Sequence, residues 1–297
     1  MSSQTLSTPL PHRSESGLRA FAASLLSQQR DALQVLRTQA RQEVPGHCLA
    51  FRCGSHLLGY LLPEHGAQLA SVLENAALCA NDLVWNAQEV SATERSAQLQ
   101  SALVHLRDQG RVGGWRNEDF SFYPVRDAQP DPAKPAFLRV ERAGFRYLGM
   151  MSHAVHINGF TSDGRMWCGQ RSASKATDPG LWDNMTAGGL SAGESLESCA
   201  ARELWEEAGL SHVEPDELRS AGRVRISRIT PTGWHDEVLH VYNLQVPDNF
   251  LPRNQDGEVQ AFSCLSGAEV FAGIAGGQWT HDAALAVAQG LLSISDV

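Results

Sequence analysis

Three glutamates, Glu203, Glu206 and Glu207, stand at i, i+3 and i+4. Those spacings bring side chains onto one face of an α-helix. Like charges so placed repel, and a bare helix would be weakened by them. A hard divalent cation such as Mg²⁺ seeks that kind of oxygen cluster and removes the repulsion. An isolated acidic triplet is more often a solvated helix face, so the surrounding residues decide the matter. Gly188 is followed after five residues by Glu194, and after seven more by Arg202-Glu203-Leu204, then Glu206, Glu207, Gly209 and Leu210. Nine specified positions at fixed offsets are not a chance arrangement.

The helix around these acids can be read locally. Ser195 is a candidate N-cap, Glu197 suits the first turn, and Gly209 can adopt the left-handed conformation that ends a helix. Leu196, Ala200, Leu204 and Ala208 would form the buried side. Arg202 could pair with Glu194 and pin the loop that starts at Gly188, whose carbonyl is a further candidate metal ligand. Outside this segment, Arg171 and Lys175 could hold a diphosphate, Arg through two parallel bonds and Lys as a point charge. Trp182 could stack a flat heteroaromatic ring or simply pack the sheet. Asn184 could orient the turn into Gly188. Asp256 and Glu258, after an expected strand Val238 to Val246, could bring another carboxylate.

These residues need a scaffold, and the hydropathy pattern sketches one. Leu18 to Gln42 reads as a helix, followed by short β-like runs at Leu49 to Cys53 and Leu57 to Leu62. Val72 to Leu106 is Ala- and Leu-rich and reads as helical in more than one piece. Asp127 to Pro135 carries three prolines and marks a loop. A helix-like bridge, Phe137 to Leu148, leads to a strand at Ala154 to Phe160, a turn at Thr161 to Gly164 and a returning strand at Arg165 to Cys168. The expected division is 1–146 as a smaller α+β domain, its first 17 or so residues a flexible tail, and 147–297 as the domain bearing the acids.

The chain has 297 residues, 42% hydrophobic and 19% charged, with net charge −9. That size allows two cored domains, and the acidity argues against general affinity for nucleic acid or anionic membrane. No apolar run is long enough to span a bilayer. Six scattered cysteines suggest reduced thiols and a cytoplasmic protein. Cys48 and Cys53, flanked by His47 and His56, lack a second pair at zinc-finger distance and read as structural thiols. Nothing in the pattern forbids a homodimer.

The segment from Gly188 to Leu210 satisfies every fixed position of the Nudix box and so resembles the Nudix hydrolases. The resemblance implies an α/β fold, an α/β/α sandwich with a mixed sheet, and Mg²⁺ or Mn²⁺ as cofactor. It also implies cleavage of a small-molecule diphosphate, with metal at Gly188, Glu203, Glu206 and Glu207, and Glu206, Glu207 or Glu258 as the base. Glu258 is preferred among the loop acids because carboxylates in this region assist related enzymes. VHINGFT (155–161), QRSASKATDPGLWDN (170–184), NQDGEV (254–259), GGWRNEDF (113–120) and VERAGFRYLG (140–149) resemble one branch, the thiamine-pyrophosphokinase-related Nudix proteins. That likeness implies thiamine diphosphate or its oxidised analogues as substrate, cut to the monophosphate, with Trp115, Arg116 and Glu118 of the upstream domain available as selectors. An ADP-ribose or nucleotide-sugar pyrophosphatase is the alternative. Prenyl-diphosphate isomerases share the fold but need a reactive cysteine and histidines at the turn, here Met185 to Gly189, which has neither. A non-catalytic sensor would more naturally have lost Glu206 or Glu207.

Overall fold

The computed structural model describes residues 15–124, 130–175, 177–214 and 216–293. Most of the expected N-terminal tail, and part of the Asp127 to Pro135 loop, lie outside these residues. Two helices, α1 (Ser16–Ser24) and α2 (Ser27–Thr38), open the described chain. An upstream body follows: β1 (Leu49–Cys53), β2 (His56–Leu61), α3 (Pro63–Val72), β3 (Ala76–Cys79), β4 (Asp82–Trp85), α4 (Ala92–Asp108), β5 (Asp119–Phe122), β6 (Leu138–Glu141) and α5 (Arg142–Leu148). The downstream body begins with β7 (Met151–Phe160), β8 (Met166–Arg171), β9 (Trp182–Asp183), β10 (Thr186–Gly189) and α6 (Leu196–Ala208). It ends with β11 (Arg219–Thr230), β12 (Gly233–Gln245), β13 (Val259–Leu265), α7 (Gly267–Ala275) and α8 (His281–Leu292).

The downstream sheet runs β11-β12-β7-β8-β13, with β10 on β7 and β9 on β8. β12 and β7 are parallel, and the other pairs are antiparallel. Every position of β7 is buried, as expected of a strand covered on both faces. Val155, Ile157, Tyr242 and Leu244 pack beneath Leu196, Ala200, Leu204 and Ala208 of α6. On the other face Ala154, Leu239 and Val241 meet Leu285 and Ala286 of α8. This is the expected α/β/α sandwich with a mixed sheet. The upstream body has a four-stranded sheet, β2-β1-β4-β3, and a separate β5-β6 pair. Its core joins Phe51, Leu83 and Trp85 to Leu99, Leu103, Leu138 and Val140.

Several local expectations are corrected. The 18–42 helix is two helices, because Leu25 and Leu26 are extended (ψ 136 and 152). The break lets Leu18, Phe21 and Leu25 pack with Phe160, Met166 and Val270, while the Gln29 side chain accepts from the Leu26 N–H at 2.9 Å and caps α2. Between Val72 and Leu106 the chain is helical only at its ends. Asn75 and Ala80 take positive φ and frame the β3-β4 hairpin, where Leu83 and Trp85 alternate inward. The helix-like bridge from Phe137 is β6 followed by α5, since Leu138 and Val140 are buried at strand period and the Glu141 side chain caps Ala143. A division at residue 146 also misplaces α1 and α2, which join the downstream core.

Candidate active site

Helix α6 is built as its sequence suggests. The Ser195 hydroxyl accepts from the Ser198 N–H at 3.1 Å, and Gly209, at φ 70, closes the C-terminus in the left-handed region. Its three acids are not equivalent. Glu203 and Glu207 are each 6% exposed, turned under toward β10, whereas the Glu206 side chain is 39% exposed. Glu207 accepts the Ala187 N–H at 2.9 Å. A Cβ on Gly188 would lie 1.7 Å from Glu203 Oε1, so the glycine is what admits that carboxylate. Burial, reinforced by the Glu203 charge, pushes the Glu207 carboxyl up to about 8. Burial also raises Glu203.

Arg202 organises the loop in front of these acids. Its Nε donates to Glu194 Oε1 at 2.7 Å and its Nη2 to Glu194 Oε2 at 3.0 Å, a two-pronged pair. Nη2 also donates to the Gly189 carbonyl at 3.1 Å, and Glu194 accepts the Ser191 N–H. The pinning expected of Arg202 and Glu194 is therefore present. The remaining prong, Nη1, donates to Glu203 and to Glu206 at 3.1 Å, so these two carboxylates share one guanidinium.

A cleft of about 1120 Å³ runs between the two bodies. Gly188, Arg202, Glu203, Glu206, Arg171, Lys175, Asp256 and Glu258 line it from the downstream side. Arg171 donates to Asp183 at 3.1 Å and to the Thr177 carbonyl at 2.8 Å. Lys175 pairs with Glu258, whose other oxygen faces Arg116 of the upstream body at 3.6 Å. Arg142, Arg146 and Glu118 add to the upstream wall. Arg142 binds Glu118 at 2.6 Å, and Ser191 of the Glu194 loop donates to Glu118, so the two bodies meet directly at the site.

Three expected contributors do not line the cleft: Glu207, which stays beneath it on the Ala187 N–H, Trp182 and Trp115. Trp182 is half-buried against the cluster of Met166, Val270 and Trp279, with its backbone tied to Gln278 and Thr280. Trp115 packs on the upstream core with the Arg107 guanidinium over its ring at 4.6 Å. The aromatic residues lining the cleft are instead Phe120, Phe145, Tyr147 and Trp234. Asn184 accepts from the His156 ring at 2.8 Å and donates to Asn158 at 2.6 Å, a buried polar chain beneath the turn. His156 and His235 also line the cleft. They come from strands β7 and β12, whose pairing joins residues far apart in sequence, so no motif spacing announced them.

The residues at α6 suit a divalent cation. Glu203 and Glu207 are acids whose proton affinity is raised by burial, with Glu206 adding at Glu203 and Glu203 adding at Glu207. Glu206 and the Gly188 carbonyl offer further hard oxygen donors, as Mg²⁺ and Mn²⁺ prefer. Arg202 supplies part of the required positive charge in this structure.

Residues 152–284 match the NUDIX domain model. Nudix hydrolase 20, chloroplastic, of Arabidopsis thaliana is 37% identical over 180 residues, 60% of this chain and 46% of its own length. Nudix hydrolase 24, chloroplastic, of the same plant is 38% identical over 180 residues, 60% of this chain and 48% of its own. An isopentenyl-diphosphate Delta-isomerase of Rhodobacter capsulatus is 30% identical over 123 residues, 41% of this chain and 65% of its own. The chain thus spans about half the length of the two plant relatives. The segment that matches the NUDIX domain model contains the whole of the α6 arrangement described above.

Proposed function

We propose that the protein is a divalent-cation-dependent hydrolase of small organic diphosphates, with thiamine diphosphate or its oxidised analogues as the substrate class and the monophosphate as product. The observation that carries this reading is the cleft itself: Glu203 and Glu206 of α6 on one side and Arg116, Arg142, Arg171 and Lys175 around them. Glu203, Glu206, Glu207 and the Gly188 carbonyl would hold Mg²⁺ or Mn²⁺, which when bound neutralises phosphate oxygens and acidifies water. Arg171, already braced by Asp183 and Thr177, presents its guanidinium to the diphosphate, and Lys175 adds a point charge. A carboxylate takes the proton of the attacking water. Of Glu203, Glu206 and Glu207, Glu206 is the most accessible. Glu258 is restrained by Lys175 and Arg116, which keeps a carboxylate across the cleft and couples it to the upstream wall.

The upstream body supplies selectivity in this reading, because pockets that discriminate form where two units meet. With Trp115 covered, a flat cationic ring would meet Phe120 or Trp234 rather than Trp115. An isomerase of prenyl diphosphates is disfavoured: Cys199, the cysteine nearest the turn, is buried with its thiol donating toward the Gly189 carbonyl, and no cysteine lines the cleft. All six cysteines are unpaired, which fits a reducing compartment such as the cytoplasm, and no described helix is long and apolar enough to cross a membrane. A substrate panel with Mg²⁺, read by product mass, tests the assignment. Thiamine diphosphate or its oxidised forms should turn over faster than ADP-ribose, dinucleotides or nucleoside triphosphates. A wide preference for ADP-ribose would replace the thiamine reading, and no metal-dependent hydrolysis of any diphosphate would remove the hydrolase reading.

A further inference from the structure

We infer that His235, Glu237 and Asp282 form a second cation site in the cleft, separate from the α6 acids and suited to Zn²⁺ or Mn²⁺. His235 and Glu237 are two residues apart on β12 and so point to the same face of the sheet. Asp282 comes from the first turn of α8, which is fixed by Thr280, whose hydroxyl accepts from the Ala283 N–H at 3.1 Å. His235 Nε2 lies 3.5 Å from Asp282 Oδ2 and 3.9 Å from Glu237 Oε2. One ligand atom from each residue falls within 4.8 Å of the other two. Nitrogen and oxygen ligands at about 2.0–2.2 Å from a tetrahedral ion stand roughly 3.4 Å apart, so the set needs little movement to close on a metal.

Two polar atoms of the cluster, His235 Nε2 and Asp282 Oδ1, are buried without an aligned hydrogen bond, although Nε2 lies within ion-pair reach of both carboxylates. His235 is 3% exposed. A buried ring nitrogen left unpaired costs stability unless something binds it. Glu237 is oriented by the Ser152 hydroxyl, which donates to Oε1 at 2.6 Å and leaves Oε2 toward the cluster. An imidazole nitrogen beside two carboxylates favours a transition cation over Mg²⁺, which prefers oxygen and its own water. Arg228 acts electrostatically on Asp282 and counts against a cation, so two carboxylate charges must outweigh it. All three ligands line the cleft. Three protein ligands leave a coordination position open there, facing the space the diphosphate is proposed to fill.

The test uses the full chain and the metals alone. Zn²⁺ and Mn²⁺ binding is measured by equilibrium dialysis, and the melting temperature is followed with and without metal. A Glu206→Gln/Glu207→Gln protein, with the α6 site impaired, should still bind one Zn²⁺ per chain. Adding His235→Gln or Asp282→Asn should weaken that binding at least tenfold and abolish the metal-induced rise in melting temperature. In the otherwise natural chain, Asp282→Asn should remove one Zn²⁺ equivalent and leave the other. His235 is buried, so if His235→Gln melts early without metal, the near-isosteric Asp282→Asn and Glu237→Gln decide the question. Failure of the α6-impaired protein to bind Zn²⁺ would overturn the proposal, as would binding indifferent to Asp282→Asn and Glu237→Gln. In either case the cluster would be a structural contact of His235 with two acids.

Discussion

The two walls of the cleft are made in opposite ways. The downstream wall takes its acids Glu203 and Glu206, with Glu207 beneath them, from one helix, with caps, buried stripe and closing glycine all encoded within a few turns. The upstream wall takes Arg116 and Glu118 from the loop before β5 and Arg142 from α5, which meet only because β5 pairs with β6. The α6 acids are local and specified by spacing, whereas the upstream wall exists only after the chain has folded. Chemistry placed on a single rigid helix tolerates changes elsewhere, whereas recognition assembled from distant segments depends on how the bodies meet.

If the local wall carries the chemistry, its loss should have the largest effect. Glu206→Gln with Glu207→Gln should lower turnover about a thousandfold, roughly 4 kcal/mol in the barrier at 1.36 kcal/mol per tenfold. Circular dichroism should show the fold retained, because amides keep the shape. Turnover near that of the unaltered protein at saturating Mg²⁺ would place the chemistry elsewhere. A subtler break is Gly188→Ala. The added methyl would occupy the position of Glu203 Oε1, so activity should drop about a hundredfold while stability falls by about 1–3 kcal/mol, the usual range for overpacking. Unchanged activity would mean that the Glu203 carboxylate can leave its place freely.

How far each wall could be read in advance follows the same division. Ser195, Arg202, Glu194 and Gly209 behave as their spacing suggests, since helix signals act within one or two turns. The β3-β4 hairpin was hidden because Ala76, Ala77 and Leu78 suit a helix, and only pairing with β4, itself seated on β1, makes them strand. Trp182 and Trp115 looked like ring-stacking candidates by type, but which way an indole faces is decided by long-range packing. His156 and His235 were invisible for the same reason. Helices α1 and α2 precede the upstream body in sequence yet pack on the downstream core. Truncation near residue 146 would strip that core, so the two walls are better separated by point substitution.

The assembled wall should respond in binding more than in turnover. Arg142→Ala removes the partner of Glu118, which also receives the Ser191 hydroxyl beside the Glu194 loop. KM for the preferred diphosphate should rise about tenfold, or roughly 1.4 kcal/mol, with kcat changed much less. Preference over generic diphosphates should narrow with it. An equal drop in kcat for every substrate would instead assign the upstream wall to the chemistry and erase the contrast between the two.

The smallest effect concerns the β7-β12 seam from which the downstream wall is built. His153 and His240 face one another across it at 3.1 Å. Burial, with the neighbouring His240, pulls His153 down to about 3, and burial with Arg223 pulls His240 down to about 4. Both rings are therefore neutral in the folded protein when the unfolded chain, near 6.5, begins to take up protons. The unfolded state then binds more protons, so stability rises with pH in this window and is lost as pH falls below 6.5. Each histidine should cost about 0.8 kcal/mol at pH 6 and more at lower pH. His240→Gln should remove close to half of the part of the slope that this pair contributes in urea melts between pH 7 and 5.5, the rest coming from groups such as His65 and His281, which burial also lowers. The readout is the slope, which a change in packing alone would not alter. If the slope persists undiminished, the acid sensitivity lies outside this pair, and the seam is not what limits the downstream wall at low pH.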